Sequence, residues 1–219
     1  MENFEEFDLS SAEELLASSE AEVTKAAEET ASNLRQRTVL SYLHDLIFGL
    51  VAVLLIFMLL FRVIIVSGPS MKQTLQDGDC LILLSSIFYR NPKPGDIVVA
   101  SKASFKDGEP IIKRVIATEG QKVDIDFVNG IVYVDDVALD EPYVNTPTTL
   151  FEGVEFPLVV KSGCVFVMGD NRNDSKDSRS PDIGMIDCRE LLGKVLILAI
   201  PGKDAITDQR DLGRIGVLW

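Results

Sequence analysis

The segment KVDIDFVNGIVYVDD, residues 122–136, alternates apolar and polar side chains on both sides of Asn129-Gly130. Alternation with a period of two is typical of half-buried β-strands, and both turn residues tolerate the positive φ of a type I′ turn. The segment therefore predicts a β-hairpin. Short apolar runs bounded by Gly, Pro or Asp predict further strands at Leu81–Leu84, Ile97–Ala100, Ile111–Ala117, Val165–Met168 and Val195–Ile200. Residues 67–219 are accordingly predicted to form a mainly β, antiparallel domain without an internal repeat.

A long apolar run precedes this domain. Residues 46–61 carry no charge, and extension to Val66 gives the length needed to cross the ~30 Å hydrocarbon core of a bilayer, with Arg62 reaching the interface. Residues 43–66 are therefore predicted to form one transmembrane helix. A cleavable signal peptide would begin closer to the N-terminus and have a shorter apolar run. A buried helix of a soluble protein would seldom be apolar on every side.

The N-terminal tail, residues 1–42, is strongly acidic, with ten acidic and three basic side chains in residues 1–37. Residues 9–34 are rich in Ala, Glu and Leu, and Ser11 and Glu14 have the spacing of a capping box. The tail is predicted to be helical or disordered. A solvated tail and a helix that docks on a partner both stay open.

The charges that flank the apolar run predict its orientation. Arg35 and Arg37 precede it, whereas Arg62 and Lys72 are the few basic residues that follow closely. Acidic residues have little weight in the positive-inside rule. The tail is therefore predicted to be cytoplasmic and the β domain extracytoplasmic, in a single-pass protein of the cell membrane.

The composition excludes several classes of function. A net charge of −13 argues against a nucleic-acid partner, because phosphate backbones require a basic surface. The three cysteines are far apart without a C-x-x-C motif, and His44 is the single histidine. No metal site and no cofactor is predicted from such dispersed ligands. A bridge between Cys164 and Cys188 stays open.

A candidate nucleophile, Ser70, lies directly after the apolar run, in VIIVSGPSMKQTL at residues 63–75. A nucleophilic serine needs a base within hydrogen-bond reach. His44 lies at the near edge of the predicted transmembrane helix, across the membrane from the β domain, which excludes Ser-His-Asp and Cys-His mechanisms. The H-E-x-x-H motif of zinc hydrolases is absent, and Gln73 occupies the lysine position of an S-x-x-K motif. A serine paired with a lysine distant in sequence remains for covalent catalysis.

The candidate base is Lys113, in IIKRVIATEG at residues 111–120. On a strand, Lys113 and Arg114 point to opposite faces, so Lys113 faces the apolar side if Arg114 faces solvent. Lowering a lysine pKa from ~10.4 by about three units costs ~4 kcal/mol and yields a base near neutral pH, which desolvation can achieve. A solvated lysine on an edge strand is the alternative.

A second polar segment, GDNRNDSKDSR at residues 169–179, has no apolar side chain. It is predicted to be a loop held by its own hydrogen bonds and charge pairs, with a plain exposed loop as the alternative. A calcium loop is disfavoured because Arg172 stands where a ligand is needed and the sixth position lacks glycine.

Taken in order, these segments resemble those of bacterial type I signal peptidases, membrane-anchored serine proteases that remove signal peptides. SGPSMKQTL resembles the segment of the nucleophile, and PGDIVVAS at residues 94–101 the strand that follows. KRV resembles the segment of the general-base lysine, and GDNRNDSKDSR the last box of the family. The resemblance covers residues 63–200, with the apolar anchor before it.

The resemblance implies a β domain of the signal-peptidase type, in which Ser70 attacks the peptide carbonyl and neutral Lys113 accepts its proton on the way to an acyl-enzyme. It also implies a lysine-orienting hydroxyl at Ser175 and a structural ion pair of Asp177 and Arg179. The expected partners are the lipid bilayer and secreted preproteins that are cut after an Ala-x-Ala-like site.

The chain departs from the family pattern near the nucleophile. The backbone N–H of Ser70 is expected in the oxyanion hole, but the serine that some members add two residues earlier is replaced by Gly68, and Ser67 lies one position further back. Gln73 stands where the family usually has proline.

Val66 and Ile112 resemble positions that line shallow pockets for small side chains such as alanine. A nucleophile four residues after the predicted helix would lie at the outer face of the bilayer, where the cleavage site of a signal peptide emerges. Two other functions stay open: a specialised peptidase for pilins or another restricted set of secreted proteins, and a non-catalytic membrane-tethered module of the same fold. Self-cleaving repressors share a Ser-Lys dyad but have a DNA-binding domain and no anchor.

Overall fold

The computed structural model describes residues 9–105, 108–204 and 207–218. Helix α1 spans Leu9–Leu60, and the chain divides into two compact units between Ile56 and Phe57. Within α1, Ser32–Leu60 has the length and the mean hydropathy, 2.6, to cross a membrane. The tail is thus helical from Leu9 onward.

The unit that begins at Phe57 is built from strands. Those of its described residues are β1 Phe61–Ile65, β2 Cys80–Ser85, β3 Ile97–Ser101, β4 Pro110–Thr118, β5 Lys122–Asp126, β6 Ile131–Val134, β7 Val137–Ala138, β8 Leu158–Val159, β9 Cys164–Met168, β10 Ile186–Asp187, β11 Leu191–Ile200 and β12 Gly216–Val217. Among the described residues, short 3-10 helices span Cys188–Glu190 and Leu212–Arg214.

The helix ends earlier than the predicted transmembrane segment, residues 43–66. Phe61–Ile65 form β1, which pairs antiparallel with β2. Three β-branched residues, at 63–65, favour a strand, and pairing with β2 satisfies backbone groups that a longer helix would have bonded internally. The part of the prediction that assigns residues 61–66 to the helix is therefore wrong. Membrane crossing itself stays a prediction.

The strands form two antiparallel sheets. The described residues give an eight-stranded sheet of order β1-β2-β11-β3-β4-β9-β10, in which β12 also pairs with β11, and a four-stranded sheet of order β7-β6-β5-β8. β11 is long enough to pair with β2, β3 and β12, with register shifts after Val195 and Leu198. The predicted mainly β, antiparallel fold is confirmed.

The predicted hairpin is present, but its turn differs. β5 and β6 pair from Val123 to Asp126, and of the two predicted turn residues Gly130 alone has a positive φ, 71°. The Asp126 carboxylate accepts the backbone N–H of Asn129 at 3.0 Å, which stabilises a four-residue loop. The two-residue turn with positive φ follows β6 instead, at residues 135–136, where φ is 51° and 64°.

Three buried clusters hold the unit together. One, which includes Met71, Leu75 and Leu81, packs the segment after β1 against the large sheet. A second joins the two sheets through residues such as Phe166 and Val132, and a third covers the large sheet around Val167. The cysteines are free thiols, so the bridge between Cys164 and Cys188 that the sequence left open is not formed.

Candidate active site

The segment between β1 and β2 places Ser70 on a fixed turn. The Lys72 N–H donates to Pro69 O at 2.9 Å, and the Leu75 N–H donates to Met71 O at 2.8 Å. The Met71 and Leu75 side chains are fully buried, so burial of these apolar groups anchors the turn. The Ser70 side chain is thereby held on a backbone that the core fixes.

Lys113 reaches this turn from strand β4. Its Nζ lies 2.7 Å from Ser70 Oγ, and the residue is only 4% exposed. Its cross-strand partner is the buried Val98, which has its side chain on the same face of the sheet. Burial lowers the pKa of Lys113 to about 8, although the nearby Asp177 and Glu152 carboxylates act in the opposite direction. About a tenth of such lysines are neutral at pH 7.

The sequence placed Lys113 on the apolar side on the condition that Arg114, the next residue, faces solvent, but Arg114 does not. It is 2% exposed, and its Nη2 and Nε lie 2.7 Å and 2.9 Å from the Asp170 carboxylate oxygens. The guanidinium also lies 3.9 Å from the ring centroid of Tyr143. Six consecutive residues of β4, 112–117, are buried, so both faces of this strand are covered. A charged side chain there has to be paired.

The loop 169–179 contains a second buried ion pair. Arg179 Nε and Nη2 each lie 2.8 Å from a carboxylate oxygen of Asp177, and both side chains are fully buried. Asp177 Oδ2 also accepts the Gly169 N–H at 2.9 Å. The Arg179 guanidinium donates to Arg172 O at 2.7 Å. This pair holds the loop in shape.

Ser175 lies beside this pair. Its hydroxyl donates to Asp177 Oδ2 at 2.9 Å, while the Lys113 amine, in the hydrogen bonds of the described residues, contacts Ser70 and not Ser175. Ser175, Ser70 and Lys113 line one cleft. A Cβ at Gly169 would meet Ser175 Oγ and Ser70 O, so a glycine there is required for the loop to approach the nucleophile.

The sequence did not indicate three contacts that join the loop to the nucleophile segment. The Asn171 N–H donates to Ser70 O at 3.0 Å, and Asn171 Nδ2 donates to Pro69 O at 3.1 Å. The Thr74 hydroxyl donates to Asp170 Oδ2 at 2.5 Å. Asp170 and Asn171 belong to a polar run that follows a predicted strand, and this position could have indicated that they take part in the site. Nothing in the sequence around Thr74 indicated its contact with Asp170.

The cleft has a volume of about 950 Å³. Val66 and Ile112 line it beside the serine and the lysine, and both are largely buried. The Gly68 N–H donates to Asp77 Oδ1 at 2.9 Å, whereas the Ser70 N–H has no partner among the hydrogen bonds of the described residues. The Ser67 side chain is exposed at the edge of the cleft. The cleft thus offers one unengaged backbone donor next to the serine hydroxyl.

A serine hydroxyl in contact with a buried lysine amine, in an open cleft of a β domain, is the arrangement of Ser-Lys hydrolases. The family model described as signal peptidase, peptidase S26, matches residues 39–200. The chain belongs to this family, and the apolar helix is that of a membrane-anchored protein.

Two relatives agree with this assignment. The chain is 37% identical over 144 residues to "Probable signal peptidase I-1" of Synechocystis. The matched region covers 62% of this chain and 69% of that protein. It is 31% identical over 186 residues to signal peptidase I of Bacillus licheniformis, and this match covers 80% of this chain and 95% of the relative. A crystal structure of a signal peptidase I from Enterococcus faecalis V583 has a TM-score of 0.40 and 29% identity, covering 48% of this chain and 96% of that one.

Proposed function

We propose that this protein removes N-terminal signal peptides from secreted preproteins, cutting after an Ala-x-Ala-like site as a serine endopeptidase. Ser70 is the nucleophile and Lys113 the general base. The observation that carries the proposal is the 2.7 Å contact between Lys113 Nζ and Ser70 Oγ inside the cleft. Membership of the signal peptidase family, and relatives named signal peptidase I, support the substrate class.

In the acylation step, neutral Lys113 accepts the hydroxyl proton as Ser70 Oγ forms a bond to the substrate carbonyl carbon. Negative charge then develops on the carbonyl oxygen, where the unengaged Ser70 N–H is placed to donate. The Lys113 ammonium returns its proton to the leaving amine as the peptide bond breaks. A water molecule that Lys113 deprotonates hydrolyses the acyl-enzyme by the same steps.

The loop residues have supporting roles in this proposal. Ser175 shares the cleft with the lysine and holds the amine in line once substrate excludes water, and the buried pair of Asp177 and Arg179 keeps Ser175 in place. Val66 and Ile112 narrow the cleft beside the dyad and favour small side chains such as alanine.

The decisive experiment incubates the full chain in detergent with a preprotein that carries an Ala-x-Ala site. Ser70→Ala and Lys113→Ala are each expected to abolish cleavage, because each removes one half of the dyad, while the circular-dichroism spectrum stays that of the folded protein. The matched controls are Ser162→Ala and Lys161→Ala, which change exposed residues and should leave cleavage intact. Full activity in either dyad variant would refute the mechanism.

A further inference from the structure

Glu152 is a carboxylate of the cleft that the mechanism above does not use. It lies in the connection between β7 and β8, its side chain is 10% exposed, and it lines the cleft with Ser70 and Lys113. Its Oε1 lies 4.0 Å from Arg179 Nη2. Its Oε2 is buried and has no hydrogen-bond partner within the described part of the chain. A buried carboxylate oxygen without a donor is unfavourable and requires an explanation.

The charges around Glu152 and Lys113 come from β4 and from the loop that follows β9. Those that act on Lys113, besides Glu152, are Asp177, Arg179 and Asp170. Those that act on Glu152 include Asp177, Arg179 and Lys176. Lys176 is exposed and paired with the exposed Asp182 at 3.0 Å, so solvent screens it. The other acidic residues that line the cleft are Glu109 and Asp174.

Two of these charges cancel within the site. Asp177 and Arg179 form one buried ion pair, and Asp170 forms another with Arg114. Each pair is neutral as a unit. Among the described residues Lys113 has no ion pair, and Glu152 reaches only Arg179 Nη2, at 4.0 Å, which Asp177 already engages at 2.8 Å. Lys113 and Glu152 line one cleft and have opposite charges when both are ionised.

We propose that Glu152 is a positioning residue whose carboxylate is the counter-charge to the ammonium that Lys113 becomes on accepting the Ser70 proton. The inference rests on the proposed Ser-Lys chemistry. As the Ser70 O–H bond breaks, its proton binds the Lys113 nitrogen, and a positive charge appears on a side chain that is only 4% exposed. The neighbouring carboxylate stabilises that charge. The same interaction raises the pKa of Lys113 above the value that it would have without the Glu152 carboxylate.

The test measures Lys113 directly. The full chain in detergent is treated with trace acetic anhydride at a series of pH values, and mass spectrometry follows acetylation of the Lys113 peptide, which reports the neutral amine. Glu152→Gln should lower the midpoint by about half a unit to one unit. Glu155→Gln, which removes an exposed carboxylate three residues away, should leave it unchanged. Glu152→Asp, which keeps the negative charge, should give a Lys113 midpoint close to that of the wild type.

Activity provides a second readout. For Glu152→Gln, the acidic limb of the pH profile of preprotein cleavage should move to lower pH, while kcat on the plateau falls by about tenfold, the equivalent of one pKa unit of interaction. A merely structural role would lower kcat without moving the limb. Equal Lys113 midpoints in the Glu152→Gln and Glu155→Gln variants would overturn the inference. If the wild-type protein cuts no preprotein but Glu152→Gln still lowers the Lys113 midpoint, the proposed function is refuted and the role of Glu152 is not.

Should Glu152→Gln fail to fold, the reciprocal measurement applies. The Glu152 carboxyl is titrated by carbon-13 NMR in the wild-type chain and in Lys113→Met. Because coupling between two sites is mutual, removal of the positive partner should raise the Glu152 midpoint. An unchanged midpoint would overturn the inference.

Discussion

At the scale of the residue, the proposed mechanism makes activity depend on pH through Lys113. Burial lowers its pKa to about 8, so the fraction of neutral amine, the form that accepts the Ser70 proton in the proposed mechanism, increases as the pH rises through that value. We expect log kcat/KM for preprotein cleavage to rise with pH below about 8 and to reach a plateau above it. The measurement is a pH–rate profile between about pH 6 and about pH 10, in buffers of constant ionic strength. A profile that is flat through its acidic half would contradict this assignment.

The same burial makes Lys113 destabilising. The unfolded lysine titrates near its usual 10.5 and the folded one near about 8, so between these values the unfolded state binds more protons and stability rises with pH. Below about pH 8 the full penalty of about 3 kcal/mol applies. Lys113→Met removes the charge at similar length, and we expect a higher Tm than wild type at neutral pH but a smaller gain at about pH 10. Lys161→Met, at an exposed site, is the control. An equal gain at both pH values would count against this account.

The sequence predicted some of these residues and missed others for definite reasons. Elimination of histidine chemistry and strand alternation led to Ser70 and Lys113, which the structure brings together. Alternation could not place Arg114, since it assumes that one strand face is solvated, and β4 is covered on both. Glu152 was not predictable, because its loop reaches the cleft only through the tertiary packing of distant elements.

At the scale of the element, the same Asp-x-Arg spacing occurs in opposite surroundings, once in the loop 169–179 and once where β10 passes into the 3-10 helix Cys188–Glu190. Asp177 and Arg179 are fully buried, whereas Arg189, which is paired with Asp187 at 2.6 Å, is 89% exposed. We expect Asp177→Asn to lower the free energy of unfolding by about 3–5 kcal/mol, because it leaves a buried guanidinium without its counter-charge. Asp187→Asn should change it by less than about 1 kcal/mol.

Urea unfolding of both variants of the full chain, followed by circular dichroism, measures the difference. Similar losses in the free energy of unfolding in the two variants would show that burial does not determine how much an ion pair contributes to stability. A large loss confined to Asp177→Asn would link the shape of the loop, and with it the position of Ser175, to a single carboxylate.

Strands were predicted more accurately than the turns that join them. Period-two alternation located β5 and β6, and short apolar runs located β4 and β9, because both patterns depend on burial along a whole strand. The turn after β5 depends on one side chain: Asp126 caps the N–H groups that follow it and moves the positive φ away from Asn129. The end of α1 was misplaced because Phe61–Ile65 are apolar enough for a helix, and only pairing with β2 makes them a strand.

At the scale of the whole molecule, the sheet order could not be predicted from the sequence. β11 is the last long strand in the chain, yet it pairs with both β2 and β3 near the middle of the large sheet. Pairing between strands so distant in sequence depends on the packing of the finished core, to which Val195 and Leu198 contribute. The site shares this dependence, because Ser70, Lys113 and Ser175 come from three separate segments.

The orientation of the chain across the membrane is the remaining prediction. Arg35 and Arg37 precede the apolar part of α1, and basic residues stay on the cytoplasmic side. We expect an epitope tag at the C-terminus to be digested by protease added to intact spheroplasts, and a tag at the N-terminus to be digested only after lysis. A cytoplasmic protein, intact until lysis, is the control. Because preproteins emerge on the outer side, digestion of the N-terminal tag alone in intact cells would place Ser70 away from its proposed substrates and refute both orientation and function.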